Sequence, residues 1–289
     1  MSNNKMIVDE RQRDIGNFHV GRLLPFRRKR SVGPFIFIDH MGPIQIKKGD
    51  YYDVDQHPHI GLSTLTYLFE GQAEHKDSIG SHQIIMPGDV AFMSSGSGIT
   101  HTERTPESLR QEDNFMMHGY QIWVALPKEL EEMEPTFEYI PASKIESWSE
   151  GNFKLKLVAG EAFGKKAMLK GYSPLFMVDV KAMGDDNLNL TNHLKGEVAI
   201  VVVSGEIEEE NEIISSGQMM ISKSDEVCSI RVKKGTQLLI FGGETLPEKR
   251  YLLWNFASTS KERLQKAKLD WQNKNFPKIL NDNTYIPFP

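Results

Sequence analysis

Apolar residues along this chain come in short runs, rich in β-branched and aromatic side chains and broken by Gly, Pro, Asp and Ser. Runs too short for helices and bounded by turn residues predict strands. Strands are expected at Phe35–Asp39, Leu62–Phe69, His82–Met86, Val90–Met93, Tyr120–Leu126 and Phe137–Ile140. Further ones are expected at Phe153–Val158, Leu175–Lys181, Val198–Val203, Gln218–Ile221, Cys228–Val232 and Gln237–Phe241. Turns such as Met86-Pro87-Gly88-Asp89 and Lys233-Lys234-Gly235 separate them. The alternation of strand and helix that builds a doubly wound sheet is missing, so the class is all-β, a sandwich or barrel. A helical period emerges only near Ser260–Asn273, where Leu264, Ala267 and Trp271 form an apolar stripe behind a Thr259…Glu262 capping box. A short helical turn is expected over Pro127–Met133, with Glu134-Pro135-Thr136 opening a linker.

The pattern repeats. Tyr67–Glu74 and Val201–Glu208 both read as an apolar strand, a glycine turn and a polar strand, 134 residues apart. One β-barrel unit used twice in tandem follows. The expected division is 1–134 and 135–289. At 289 residues the length agrees with two ordinary domains.

Composition narrows the chemistry. Lys and Arg total 34 and Asp and Glu 39, a net charge of −5, which argues against direct nucleic-acid binding. The one cysteine, Cys228, can form neither an internal disulfide nor a thiolate metal cage, so any metal must be held by His and carboxylate. No signal-like or membrane-spanning apolar stretch is seen, and the chain reads as cytoplasmic, or nuclear in a eukaryote. The cluster Arg27-Arg28-Lys29-Arg30 reads as a solvated basic loop. Fingerprints of dinucleotide binding, phosphate loops and serine-nucleophile elbows are absent.

Three of the nine histidines sit in two compact motifs, His57-Pro58-His59 and His101-Thr102-Glu103. On a strand, residues i and i+2 share a face. Each motif can therefore aim both of its ligand groups at one point, and two neighbouring strands can bring all four together. Three neutral imidazoles and one carboxylate suit Fe(II), Ni(II), Cu(II), Mn(II) or Zn(II), and on an octahedral ion they leave room for oxygen or a chelating substrate. In the second half, the 134-residue offset carries His57 to Thr191 and His59 to His193, and Gly235 and Gln237 fall where His-x-Glu would recur. One possible ligand of four, His193, remains there, so the second barrel is expected to carry no metal. His40, His75, His82 and His118 read as structural, and the acidic run Glu206–Glu212 as a solvated hairpin.

At these residues the chain resembles the pirin family of bicupins. The resemblance rests on Val32-Gly-Pro-Phe35-Ile-Phe-Ile-Asp39-His40, His57-Pro-His59-Ile-Gly61, Glu74-His75-Lys-Asp77-Ser78, Pro87-Gly88-Asp89-Val90, Gly98-Ile-Thr-His101-Thr-Glu103 and Gln121-Ile-Trp123. Val158-Ala-Gly160-Glu161 and Leu239-Ile-Phe-Gly242-Gly243-Glu244 extend it into the second half. The resemblance implies two tandem cupin barrels with a C-terminal helix, and one metal, iron first, on His57, His59, His101 and Glu103. It also implies one of two roles. The first is dioxygenation of a flavonol such as quercetin, with O2 as co-substrate and Glu103 as candidate proton acceptor. The second is iron-dependent regulation through a protein partner, without catalysis. Ile60, Gly61 and Ser63 stand where the family has a charged pair, and Ala91-Phe92 where it has Gln-Trp. A more apolar rim, at a pocket entrance or a partner surface, is the expected consequence.

Overall fold

The structure, a computed structural model, describes residues 5–15, 18–223 and 229–289. Cys228 lies outside the described residues, and the strand expected to start there is seen as Ser229–Val232. The apolar runs do fold as strands, and these group into two units, each built around one large and one small sheet, with a two-stranded pair, Tyr251–Leu253 and Phe256–Ser258, added to one of them.

In the N-terminal barrel the large sheet runs in the order Thr136–Ile140, Val90–Ser94, Leu62–Glu70, Asn114–Ala125, Phe35–Lys47, His19–Leu24, Arg11–Asp14. Its small sheet runs Val54–His59, Ile99–Arg104, Ala73–Asp77, His82–Ile85. In the C-terminal barrel the large sheet runs Met6–Asp9, Gln218–Lys223, Glu197–Ser204, Gln237–Gly243, Leu175–Ala182, Phe153–Ala162, Glu146–Glu150. Its small sheet runs Asp186–Asn189, Ser229–Val232, Glu206–Glu209, Glu212–Ser215. The two orders match strand for strand, so the repeat seen in the sequence is a repeat of topology. The acidic run forms the hairpin of the last two strands, with Ile207 and Ile214 buried beneath it.

The units do not divide between 134 and 135. Thr136–Ile140, expected to follow a linker, pairs with Val90–Ser94 and finishes the N-terminal sheet. Met6–Asp9 pairs with Gln218–Lys223 and finishes the C-terminal one. One unit therefore holds Met1–Arg11, Gly21–Phe37 and Ser143–Leu246, and the other Gln12–Val20, Ile38–Ala142 and Pro247–Pro289. A strand at the edge of a sheet needs a hydrogen-bonding partner, wherever in the sequence that partner lies.

Segment Pro247–Pro289 belongs to the N-terminal barrel's unit. Its helix, Lys261–Gln272, buries Leu264, Ala267 and Trp271 as the periodicity required, packed with Ile60, Phe256 and Phe276. The cap is Ser260, one residue later than the sequence pattern placed it: its Oγ accepts from Arg263 N at 3.2 Å. Thr259 is occupied elsewhere, donating its N–H at 2.8 Å to Glu131, a buried carboxylate just after the 3-10 turn Lys128–Leu130. Gly61 makes a tight approach possible here. Its φ is +67°, and a Cβ on it would stand 2.0 Å from the Ala257 carbonyl oxygen. No described helix is long and apolar enough to cross a membrane.

Candidate metal centre

The inner face of the small N-terminal sheet carries the chemistry. In the antiparallel ladder His101 stands directly opposite His57, and Ile99 opposite His59. Alternation then turns His57, His59 and His101 to one side. One ring nitrogen from each lies within 4.8 Å of the other two, and all three residues are buried. The ring centroids are 4.2 Å (His57–His101), 5.0 Å (His59–His101) and 5.1 Å (His57–His59) apart.

Hydrogen bonds fix which nitrogen is offered. His57 Nδ1 donates to the Asp55 carbonyl at 2.8 Å, and His59 Nδ1 to the Asn255 carbonyl at 3.1 Å. A carbonyl only accepts, so both protons sit on Nδ1 and both Nε2 lone pairs are free. His101 is fully buried, and neither of its ring nitrogens has a hydrogen-bond partner among the described residues. A buried polar atom left without a partner costs roughly 1–3 kcal/mol and demands an explanation. A metal ion held by the triad supplies one.

Electrostatics agree with this. Burial, the larger cause, pushes the His57 imidazole down to about 4. Burial and the neighbouring imidazoles hold His59 and His101 well below the ordinary value. All three are neutral at pH 7, as metal ligation requires.

Glu103 follows His101 at i+2 in unbroken register with Ala73–Asp77. On the other side the extra residue of a register shift lies in Val54–His59, so Glu103 faces Val54. Its carboxylate is not among the atoms that lie mutually within 4.8 Å. Instead Oε1 accepts from Gln121 Nε2 at 2.6 Å, with Thr66 Oγ1 at 3.4 Å. Burial raises the Glu103 pKa, opposed by His75, Gln121 and Thr66.

Sequence reasoning passed over several neighbours. Thr66 and Gln121 are ladder partners on the large sheet, and Thr66 Oγ1 donates to Gln121 Oε1 at 2.7 Å. His75, read as structural, faces Glu103 in register and lies 5.3 Å from His101, centroid to centroid. It is bonded to buried Asp77 at 3.0 Å and stacked on Phe137. Trp123 packs against His59 in a T-shaped pair, ring centroids 5.1 Å apart. A signal for Gln121 was there: a polar residue in the same phase as Trp123 and Ala125 on its strand.

The expected apolar rim is not found. Ile60 is buried under the helix with Phe256 and Trp271, and Ser63 is buried with its Oγ 2.8 Å from that of Ser94. Ala91, by contrast, stands opposite Thr66 in the ladder and so shares the inner face. His40 and His118 face each other, Nε2 to Nε2, at 3.0 Å. Met93 and Met117 are buried, while Met86 and Met116 are exposed.

In the C-terminal barrel the 134-residue offset misplaces the comparison, because loop lengths differ. The strand at the topological position of Val54–His59 is Asp186–Asn189, paired with Ser229–Val232. Their buried residues are Leu188, Ile230 and Val232, in one cluster with Ile200 and Ile240. Thr191 and His193 lie beyond that strand, and His193 stacks on Phe163.

Comparison with known proteins bears on the same residues. The chain matches the pirin family over residues 17–124 and the pirin C-terminal cupin domain over residues 177–277. It is 41% identical over 289 residues to a pirin-like protein of Caulobacter vibrioides, covering 98% of this chain and 99% of that one. It is 33% identical over 258 residues to a Pseudomonas aeruginosa protein provisionally named quercetin 2,3-dioxygenase, covering 89% and 80%. Among solved structures, quercetin 2,3-dioxygenase from Acinetobacter baumannii superposes with a TM-score of 0.90 at 30% identity, covering 99% of this chain and 95% of that one. The two barrels are thus cupins.

Proposed function

Because the chain belongs to the pirin family, a bicupin family with relatives named for flavonol dioxygenation, we propose that it is a mononuclear metal-dependent dioxygenase. The metal site is His57, His59, His101 and Glu103, and the substrate a flavonol-type aromatic, of which quercetin is the type, together with O2. The observation that carries this reading is the buried triad of neutral imidazoles, with His101 unpartnered at both nitrogens among the described residues. Iron heads the candidate metals, and nickel, copper, manganese and zinc suit the same donors.

When bound, such an ion supplies Lewis acidity and open positions for a 3-hydroxyl and its adjacent carbonyl. The rest falls to the chain. His57 and His59 present Nε2 because the Asp55 and Asn255 carbonyls hold their Nδ1 protons. Glu103, raised in pKa by burial, is suited to take the hydroxyl proton at its carboxylate. Gln121 and Thr66 keep that carboxylate in place. Burial of the three imidazoles excludes water from the ligand atoms.

Elemental analysis of the purified protein should give one transition metal per chain. Protein reconstituted anaerobically with iron, nickel, copper or manganese and then exposed to air should bleach the quercetin absorbance and release carbon monoxide. Failure with all four metals would sink the quercetinase assignment. Stoichiometric metal without turnover, with partner capture lost in a His57→Ala/His101→Ala variant, would favour the regulatory role instead.

A further inference from the structure

A carboxylate can meet a metal through one oxygen or through two, and the choice decides how many positions stay open. In the N-terminal barrel the choice is constrained by two residues outside the ligand set. Gln121 Nε2 donates to Glu103 Oε1 at 2.6 Å. The amide is itself oriented, since its own Oε1 accepts from the Thr66 hydroxyl at 2.7 Å. Thr66 Oγ1 also lies 3.4 Å from Glu103 Oε1, but its single proton serves the shorter contact. No hydrogen bond among the described residues reaches Glu103 Oε2. Thr66 and Gln121 are direct cross-strand partners, so the backbone ladder fixes the pair. At the same place in the C-terminal ladder, Ile200 faces Ile240.

We propose that Thr66 and Gln121 are positioning residues that tie up one oxygen of Glu103. Glu103 then offers a metal a single oxygen, and the positions that a chelating substrate needs stay open. The inference rests on the reading of Glu103 as a ligand. It assigns Thr66 and Gln121 a role in coordination number, beyond that of packing.

The test uses Co(II) as a probe, because its visible absorption weakens as coordination number rises. The full-length protein is loaded with Co(II), and quercetin is then titrated without oxygen. Gln121→Met and Thr66→Val should each weaken the visible bands and loosen quercetin binding by roughly tenfold or more, as removal of a partner that holds a ligand does. Thr66→Ser, which keeps the hydroxyl, should restore both. If Gln121→Met fails to fold by thermal unfolding, the Thr66→Val and Thr66→Ser pair carries the same test. Wild-type spectra and affinity in Gln121→Met and Thr66→Val, with Glu103→Gln altered, would overturn the positioning role while keeping Glu103 as ligand. An unchanged spectrum in Glu103→Gln would overturn the ligand reading beneath it.

Discussion

Two barrels with the same strand order are filled in opposite ways. Where Thr66 faces Gln121 in the N-terminal ladder, Ile200 faces Ile240 in the C-terminal one. Where His57, His59 and His101 line the small N-terminal sheet, Leu188, Ile230 and Val232 line its counterpart. Backbone ladders form in both, so the scaffold is indifferent to what it encloses. Each buried aliphatic side chain contributes on the order of 1.5–3 kcal/mol. The N-terminal barrel forgoes part of that to hold neutral imidazoles, and the C-terminal barrel keeps it. A site of this kind needs a frame whose stability comes from elsewhere in the molecule, and the apolar cluster under the helix Lys261–Gln272 is one such source.

Crossed substitutions should break the symmetry most clearly. His101→Ala should lower metal affinity by more than about 100-fold, beyond the loss seen for partners that merely hold a ligand. Ile230→Ala should leave metal affinity alone and destabilise the fold by about 2–5 kcal/mol. Chelator competition and urea unfolding read the two effects.

Next in size is a transplant. Ile240→Gln places an amide in an apolar interior and should cost roughly 2–4 kcal/mol in urea unfolding. Adding Ile200→Thr should recover about 1 kcal/mol, because a hydroxyl–amide pair can then form. No recovery would mean that the barrels differ in more than these two side chains.

Acid should act on the N-terminal barrel through its buried imidazoles. The His57 pKa is lowered to about 4 in the folded protein, from 6.5. Between those values only the unfolded chain takes up the proton, so stability falls as pH drops below 6.5 and levels off near 4. For metal-free protein, His57 alone accounts for roughly 2 kcal/mol lost between pH 7 and pH 5. Urea midpoints at the two pH values check it, and His57→Gln should remove that share.

The smallest expected effect is at Asp282, which pairs with Arg104 at 2.7 Å. Asp282→Asn keeps the shape and loses the charge, and should cost less than about 1 kcal/mol in urea unfolding.

Much of this was legible in the sequence. Short apolar runs gave the strands, the Leu264–Ala267–Trp271 stripe gave the helix face, and two motifs gave the triad. What stayed hidden depended on pairing between distant segments. Nothing local to Thr136–Ile140 says that it returns to Val90–Ser94, so the boundary after 134 was misplaced. Counting i, i+2 put Glu103 on the face of His101, as the unbroken register with Ala73–Asp77 has it, but its bond to Gln121 joins two different sheets and could not be read locally. Ile60 read as a rim residue because its cover, Phe256 and Trp271, lies about 200 residues away in the chain. The fixed offset failed at Thr191 and His193 for a related reason: loops change length where strands do not.

Gln56 sits between the residues that hold and are held at the triad, and its side chain points the other way. Its amide nitrogen donates to the carbonyls of Asp282 and Thr284, at 2.9 and 3.0 Å, and its amide oxygen accepts from Ile279 N at 3.1 Å. These partners come more than 220 residues later. On a ribosome, the strand bearing His57 and His59 emerges before residues 143–246, and these must follow before Ile279, Asp282 and Thr284 exist to secure it. The strand that carries two of the triad histidines is therefore fastened in part by residues made more than 220 positions after it.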